Sequence, residues 1–310
     1  MNDRIVQASE ASIKQGSQSF AAAAKLFDRR TREDAVMLYA WCRYCDDIID
    51  GQQLGHRASN DAEEGSETER LDRLKEKTIK ALHGMPSDDA QFEALRRVVE
   101  RNEINPQYPL QLLHGFEMDV RHTTYTTMND TSLYCYHVAG VVGVMMAMIM
   151  GARDPETLDR ASDLGMAFQL TNICRDIVDD AREGRCYLPS ELLQEYRIVS
   201  IDPHNAAQRD ALFQVASVLL EDAERYYSSA YCGLPDLPFR SAWAIASARR
   251  IYRAIGRKLL AAGPSAWDKR ISTSSATKAG LVVMALGDVI LTRFHRPQAS
   301  RAGLFNRPLR

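Results

Sequence analysis

"DPETLDRASDLGMAFQLTNICRDIVDDAREG", Asp154 to Gly184, reads as one long helix with its own start and stop. Asp154 offers a cap, Pro155 sits in the first turn where a missing N–H costs nothing, and Gly184 ends the run. Toward the far end, Gln169, Asn172, Asp176, Asp180 and Glu183 share one face at about 100° per residue, with Arg175 and Asp179 at its margins. Helix C-termini carry partial negative charge, so each of these carboxylates is disfavoured there by roughly 0.3–1 kcal/mol. Something must offset that cost.

The same pattern occurs earlier in "RYCDDIIDG", Arg43 to Gly51. Tyr39, Arg43, Asp46 and Asp50 form one stripe, and Asp46 and Asp50 are a like-charge pair four residues apart. One acidic turn is commonly a solvated surface. Two in one chain, each with an arginine beside the carboxylates, break local rules in the way functional sites do.

The surrounding chain is helix after helix, with almost no alternating β pattern. "TREDAVMLYAWCRYCDDIIDG" carries a T-x-x-D box at Thr31 and Asp34 and a stop at Gly51. A third helix is punctuated by Pro238 and Gly263, and the polar segment from Gly51 to about Thr68 reads as an exposed loop. Leu133 to Ala152, "LYCYHVAGVVGVMMAMIMGA", has no formal charge and is just long enough to span a bilayer. Its internal glycines, polar start and unbiased flanks favour a helix buried in the domain centre. Ala139, Gly140 and Gly143 would leave room beside it. The expectation is an all-α, single-domain helical bundle with a central apolar cavity. One domain covers 1–310, with a core from about 16 to 294 and a flexible basic tail over 295–310.

Composition narrows the function classes. The 310 residues are 45% hydrophobic and 26% charged with net charge −2, ordinary for a soluble domain and unlike the basic field of a nucleic-acid binder. The first residues, "MNDRIVQASEASIKQGS", lack an apolar signal-peptide core, so a cytoplasmic location is expected. Six scattered cysteines do not suggest a disulfide framework, and the Cys42/Cys45 C-x-x-C reads as helix-packing thiols because no second pair completes a zinc site.

Oxygen-only ligands on two helices suit a hard cation. Mg²⁺ fits best, held by one or two carboxylates plus waters and substrate phosphates, with Mn²⁺ able to stand in. Such a cation reverses the repulsion between carboxylates and a phosphate, and arginines add donors of bidentate geometry. A glycosidase pair needs no arginines, and a di-iron bundle needs Glu-x-x-His motifs that are missing. Two acidic stripes facing an apolar helical cavity describe a diphosphate attached to a long hydrocarbon.

At this point the sequence resembles the squalene/phytoene synthase family. "DDIID" and "NICRDIVDDAREGRCYLP" look like its two aspartate-rich motifs, "YCYHVAGVVG" its glycine-containing central helix, and "SQSFAAAAKLF" its N-terminal segment. The match runs from about Gly16 to Ala285, and its details look most like the phytoene synthases of that family.

The resemblance implies that Asp46, Asp50, Asp176 and Asp180 hold Mg²⁺, with Asn172 and Gln169 supporting metal or diphosphate. Asp179 takes second place to Asp180. It implies that Arg43 and Arg175 contact diphosphate, and that Tyr39, Tyr187 and Tyr252 lie near the reacting carbons. Ser17 and Phe20 match a flap-like segment. "DKRISTSSATKAG" departs most from plant relatives, so the resemblance gives only weak support for a diphosphate role at Lys269, Arg270 or Lys278. The implied reaction joins two geranylgeranyl diphosphates head to head, through prephytoene diphosphate, to phytoene, the first committed step of carotenoid biosynthesis. The same reaction on farnesyl diphosphate is the alternative, and a non-catalytic helical membrane adaptor is the alternative of another class. No dinucleotide fingerprint follows a strand, so no nicotinamide cofactor is expected. Other carotenoid-pathway enzymes are implied neighbours. Peripheral attachment to the inner face of the membrane is expected through Arg293, Arg296, Arg301, Arg307 and Arg310.

Overall fold

A computed structural model describes residues 3–16, 22–50, 52–53, 56–57 and 65–309. In chain order its helices are α1 (Arg4–Gly16), α2 (Arg29–Asp50), α3 (Glu67–Leu82), α4 (Ala90–Asn102), α5 (Gln107–Val120) and α6 (Met128–Cys135). A π-helical turn, Tyr136–Gly140, leads into α7 (Val141–Ile149). Then come α8 (Pro155–Arg182), α9 (Ser190–Glu195), α10 (Arg209–Tyr231), α11 (Phe239–Ala262) and α12 (Ser275–Phe294). The β structure among the described residues is a hairpin of two-residue strands, Gln52–Gln53 against His56–Arg57.

Local signals explain the boundaries. The Asp154 carboxylate accepts the Thr157 N–H at 2.9 Å, Pro155 fills the first turn of α8, and Gly184 at φ +75° turns the chain away. Gly263, at φ +63°, ends α11 after the stop predicted from sequence. The start of α2 differs from the expected box at Thr31 and Asp34. Asp28 is the acceptor, at 3.0 Å from the Thr31 N–H and 2.7 Å from its hydroxyl. Asp34 is buried and accepts from Asn102 of α4 at 3.0 Å, so a tertiary contact has claimed it.

Helix α8 is central, packed by α7, the π turn, α10 and α11. The run Met128–Ile149 is long and apolar enough to cross a membrane, yet 72% of an apolar 18-residue stretch of it is buried within the fold, as expected of a core helix. Its glycines allow a close approach. A Cβ on Gly143 would lie 2.3 Å from the Ala161 carbonyl oxygen, and one on Gly165 would lie 2.2 Å from that of Ala139. Small residues therefore bring the backbones of α7 and α8 into contact, and Ala139 and Gly143 also line the central cavity, where room was expected. Cys45 is fully buried and Cys42 partly so; burial pushes the Cys42 thiol up to about 12, which suits packing groups.

The flexible basic tail is corrected. Residues 295–309 form an arm docked on the first turns of α8. Arg301 Nε and Nη2 reach Asp163 at 2.8 and 2.9 Å, and Arg307 Nε reaches Asp159 at 2.5 Å. Arg307 is only 3% exposed, Leu304 is buried, and the Phe305 ring lies 5.7 Å from that of Tyr136 in the π turn. Arg296 pairs with Asp236 at 3.0 Å, and Arg293 donates to the Pro235 and Leu237 carbonyls. Buried carboxylates on α8 need partners, and the arm supplies them. Of the arginines expected to face a membrane, Arg301 and Arg307 are engaged inside the protein, Arg293 and Arg296 are exposed but paired, and Arg310 lies outside the described residues.

Candidate active site

The ends of α2 and α8 bring their acidic stripes to one cavity of about 720 Å³, with Tyr39, Arg43, Asp46, Gln169, Asn172, Arg175, Asp176, Asp180, Tyr187 and Tyr252 all in its wall. Ser17 and Phe20 lie outside the described residues, as does the side chain of Asp50. Below the acidic rim the wall becomes apolar, with Val142, Met146, Leu164 and Leu234 among its members. A charged mouth over an apolar shaft matches an amphiphile with an anionic head.

Arginines offset the repulsion at the two helix ends. Arg43 donates to Asp46 at 2.8 Å and pairs with Asp47 at 2.7 Å. Arg175 Nε donates to Asp176 at 2.8 Å, and Arg270 Nη2 lies 3.4 Å from the same carboxylate. Arg70 caps α2 by donating to the Ile49 carbonyl at 3.2 Å. Asp179 turns outward to Arg182 at 2.6 Å, so Asp180 is the carboxylate that enters the cavity.

The donor set fits a hard cation in two respects. The Asn172 side-chain oxygen is buried without a hydrogen-bond partner, an acceptor left for a cation or a donor from a ligand. Burial first, and then the charge of Asp176, raise the Asp180 carboxyl to about 7, so negative charge is in excess there. Among the described residues no three His, Cys, Asp or Glu side chains form a ready-made cage.

This carboxyl predicts a pH signature. A raised folded-state value means the folded chain holds its proton more tightly than the unfolded chain. Its contribution is therefore favourable at low pH and is lost as pH climbs from 3.8 toward about 7. A bound cation requires the carboxylate, so metal and proton compete. Mg²⁺ should raise the thermal midpoint more at about pH 8 than at about pH 5.5. Equal gains at both values contradict this assignment.

Several cavity residues had no clear sequence signal. Arg270, only weakly supported by sequence, lines the mouth, as does Arg185; Lys269 and Lys278 do not. Asp119 accepts from Tyr134 at 3.2 Å and from Tyr187 at 3.1 Å, and those two rings stack with centroids 4.6 Å apart. Phe168 stacks on Tyr252 at 4.2 Å, making an aromatic wall below the diphosphate end. Burial, acting against Arg43, raises Tyr39 to about 12, so it stays a neutral phenol.

A family model described as squalene/phytoene synthase matches residues 13–277. A phytoene synthase from Pseudescherichia vulneris is 52% identical over 297 residues, 95% of each chain. A 15-cis-phytoene synthase from a Paracoccus species is 50% identical over 99% of each. Among solved structures, a ligand-bound dehydrosqualene synthase superposes with a TM-score of 0.81 at 26% identity, covering 93% of this chain and 97% of that one. The family condenses prenyl diphosphates and generally depends on a divalent metal. By its sequence, its fold and the two acidic helices that meet at one cavity, the chain belongs to the squalene/phytoene synthase family.

Proposed function

We propose that the chain is a phytoene synthase that condenses two geranylgeranyl diphosphates head to head, with Mg²⁺ as its metal. One observation carries the reading: two acidic helix ends and four arginines, Arg43, Arg175, Arg185 and Arg270, surround the mouth of a deep apolar cavity. The names of relatives at 50–52% identity support it. From Asp176 to Thr157, both in the cavity wall, α8 rises about 28 Å at about 1.5 Å per residue, a depth suited to a long prenyl chain.

Asp46, Asp176, Asp180 and Asn172, with Asp50, would hold the metal, which supplies charge neutralisation for the departing diphosphate. The guanidinium groups bind its oxygens with bidentate geometry and keep it after cleavage. The Phe168–Tyr252 stack and Tyr39 offer π faces to the allylic cation. Apolar walls exclude water that would trap that cation. Comparing kcat/KM for geranylgeranyl and farnesyl diphosphate tests the chain length. Preference for the twenty-carbon substrate supports the reading, and preference for the fifteen-carbon one replaces it with dehydrosqualene synthesis.

The protein is also proposed to rest on a cytoplasmic membrane surface, through α12 rather than its arginines. This helix is long and apolar enough to cross a membrane, and only 22% of an apolar 18-residue stretch of it is buried. Its inner face is committed: the Trp243 indole N–H donates to the Val282 carbonyl at 2.8 Å, and Arg250 pairs with Asp288 at 2.6 Å. Its outer face shows Val283, Met284, Ile290, Leu291 and Phe294, the last two 63% and 87% exposed. A helix with one face anchored and one apolar face open suits the interface plane, where a lipid-soluble product can leave. In liposome sedimentation, Leu291→Glu with Phe294→Glu should weaken binding by about tenfold or more, with little dependence on salt. Unchanged binding, or a stable dimer covering this face, contradicts it.

A further inference from the structure

The apolar cavity ends at a partition. A second, more polar cavity of about 870 Å³ lies beyond it, bounded by the turn 151–154, Cys232, Asp236 and the arm residues 296–300. Thr157 and Arg160, on the first turns of α8, are the residues that belong to both walls. From Asp176 to Arg160 the helix rises about 24 Å at about 1.5 Å per residue, so Arg160 stands at the end opposite the diphosphate site.

Arg160 is held firmly in that position. Its Nη1 donates to Ser229 Oγ and to the Ala299 carbonyl, each at 2.9 Å, and its Nη2 donates to Glu156 at 3.1 Å. Gly233 packs against its stem, where an added Cβ would lie 2.9 Å from the Arg160 Cβ. Ala299 and Glu156 border the polar cavity. An arginine suits such a wall, because its methylene stem tolerates an apolar neighbour while its head keeps polar partners. The arm, by presenting the Ala299 carbonyl, helps to keep the wall closed.

We propose that Arg160 is the floor against which the terminal isoprene unit abuts, and that it sets the longest prenyl diphosphate the site accepts. The inference rests on the proposed prenyl-diphosphate function and adds the residue that limits chain length. Shortening this side chain joins the two cavities and gives a longer chain somewhere to go.

The test uses full-length protein with the twenty-carbon geranylgeranyl and twenty-five-carbon geranylfarnesyl diphosphates and Mg²⁺. The readout is the ratio of kcat/KM for the longer substrate to that for the shorter. Arg160→Ala should raise the ratio by about tenfold or more, since one or two methylenes already give discrimination of that order. Arg160→Met, which keeps the length of the wall without its charge, should leave the ratio within about twofold. If Arg160→Ala does not fold, Arg160→Gln, shorter but still a donor to Ser229, should raise the ratio in the same direction. A folded Ala or Gln variant with an unchanged ratio overturns the inference. Wild-type protein that converts neither substrate overturns the proposed function instead.

Discussion

Asp176→Asn should lower kcat/KM for the prenyl diphosphate by about a thousandfold or more while leaving helicity intact. The side chain keeps its shape and can still accept from Arg175 Nε, now 2.8 Å away. What it loses is the charge that a cation requires at the mouth of the cavity. Asp180 should respond as well, because Asp176 is the second cause of its raised value, after burial. The Asp180 carboxyl should therefore titrate lower in the variant. Asp46→Asn on the facing helix should be similarly inactive, and there the fold is further protected because Arg43 retains Asp47 at 2.7 Å. Circular dichroism and steady-state kinetics at saturating Mg²⁺ check both. Near wild-type turnover in either variant removes that helix from the metal site.

Removing the C-terminal arm should be costly in stability. Arg307→Ala is expected to destabilise the protein by about 3–5 kcal/mol in urea unfolding, because it leaves Asp159 buried with its closest partner gone. Arg301 remains 3.3 Å from Asp159 and softens the loss, so truncation after Phe294, which also strips Asp163, should cost more. Burial already pushes the Asp163 carboxyl above its ordinary value even beside Arg301, which shows how much desolvation the arm offsets. Replacing both partners, Arg307→Met with Asp159→Leu, should recover much of the loss, as exchanging a whole buried pair for apolar groups often does. Truncated protein that unfolds within about 0.5 kcal/mol of the full chain would return this segment to a flexible tail.

What was legible in the sequence was local. Asp154, Pro155 and Gly184 set the limits of α8 because caps and turns act within a few residues. The acidic stripes were legible because helical periodicity alone puts Asp176 and Asp180 on one face. What was not legible depended on distant partners. Asp34 looked like half of a capping box until Asn102, on α4, claimed it. Arg301 and Arg307 looked like membrane-facing charges of a flexible tail because their carboxylates, Asp163 and Asp159, lie more than a hundred residues earlier. A signal did exist there: two aspartates four apart on the first turns of a long helix, just before its apolar run, required cations from somewhere if that end was buried. Arg185, Arg270 and Asp119 enter the cavity only through packing, and no local pattern marks them. Gly143 was read as space and does line the cavity, but its close contact with Ala161 was not legible.

The central claim is that the two acidic helices form one metal-dependent site for two prenyl diphosphates. Its most direct test is the mass balance of purified protein given geranylgeranyl diphosphate and Mg²⁺, with hydrocarbon and released diphosphate measured together. The account predicts phytoene with two diphosphates released for each molecule formed, abolished by chelation and restored by added Mg²⁺. Release of diphosphate without a forty-carbon hydrocarbon, or synthesis that persists under chelation, would contradict it.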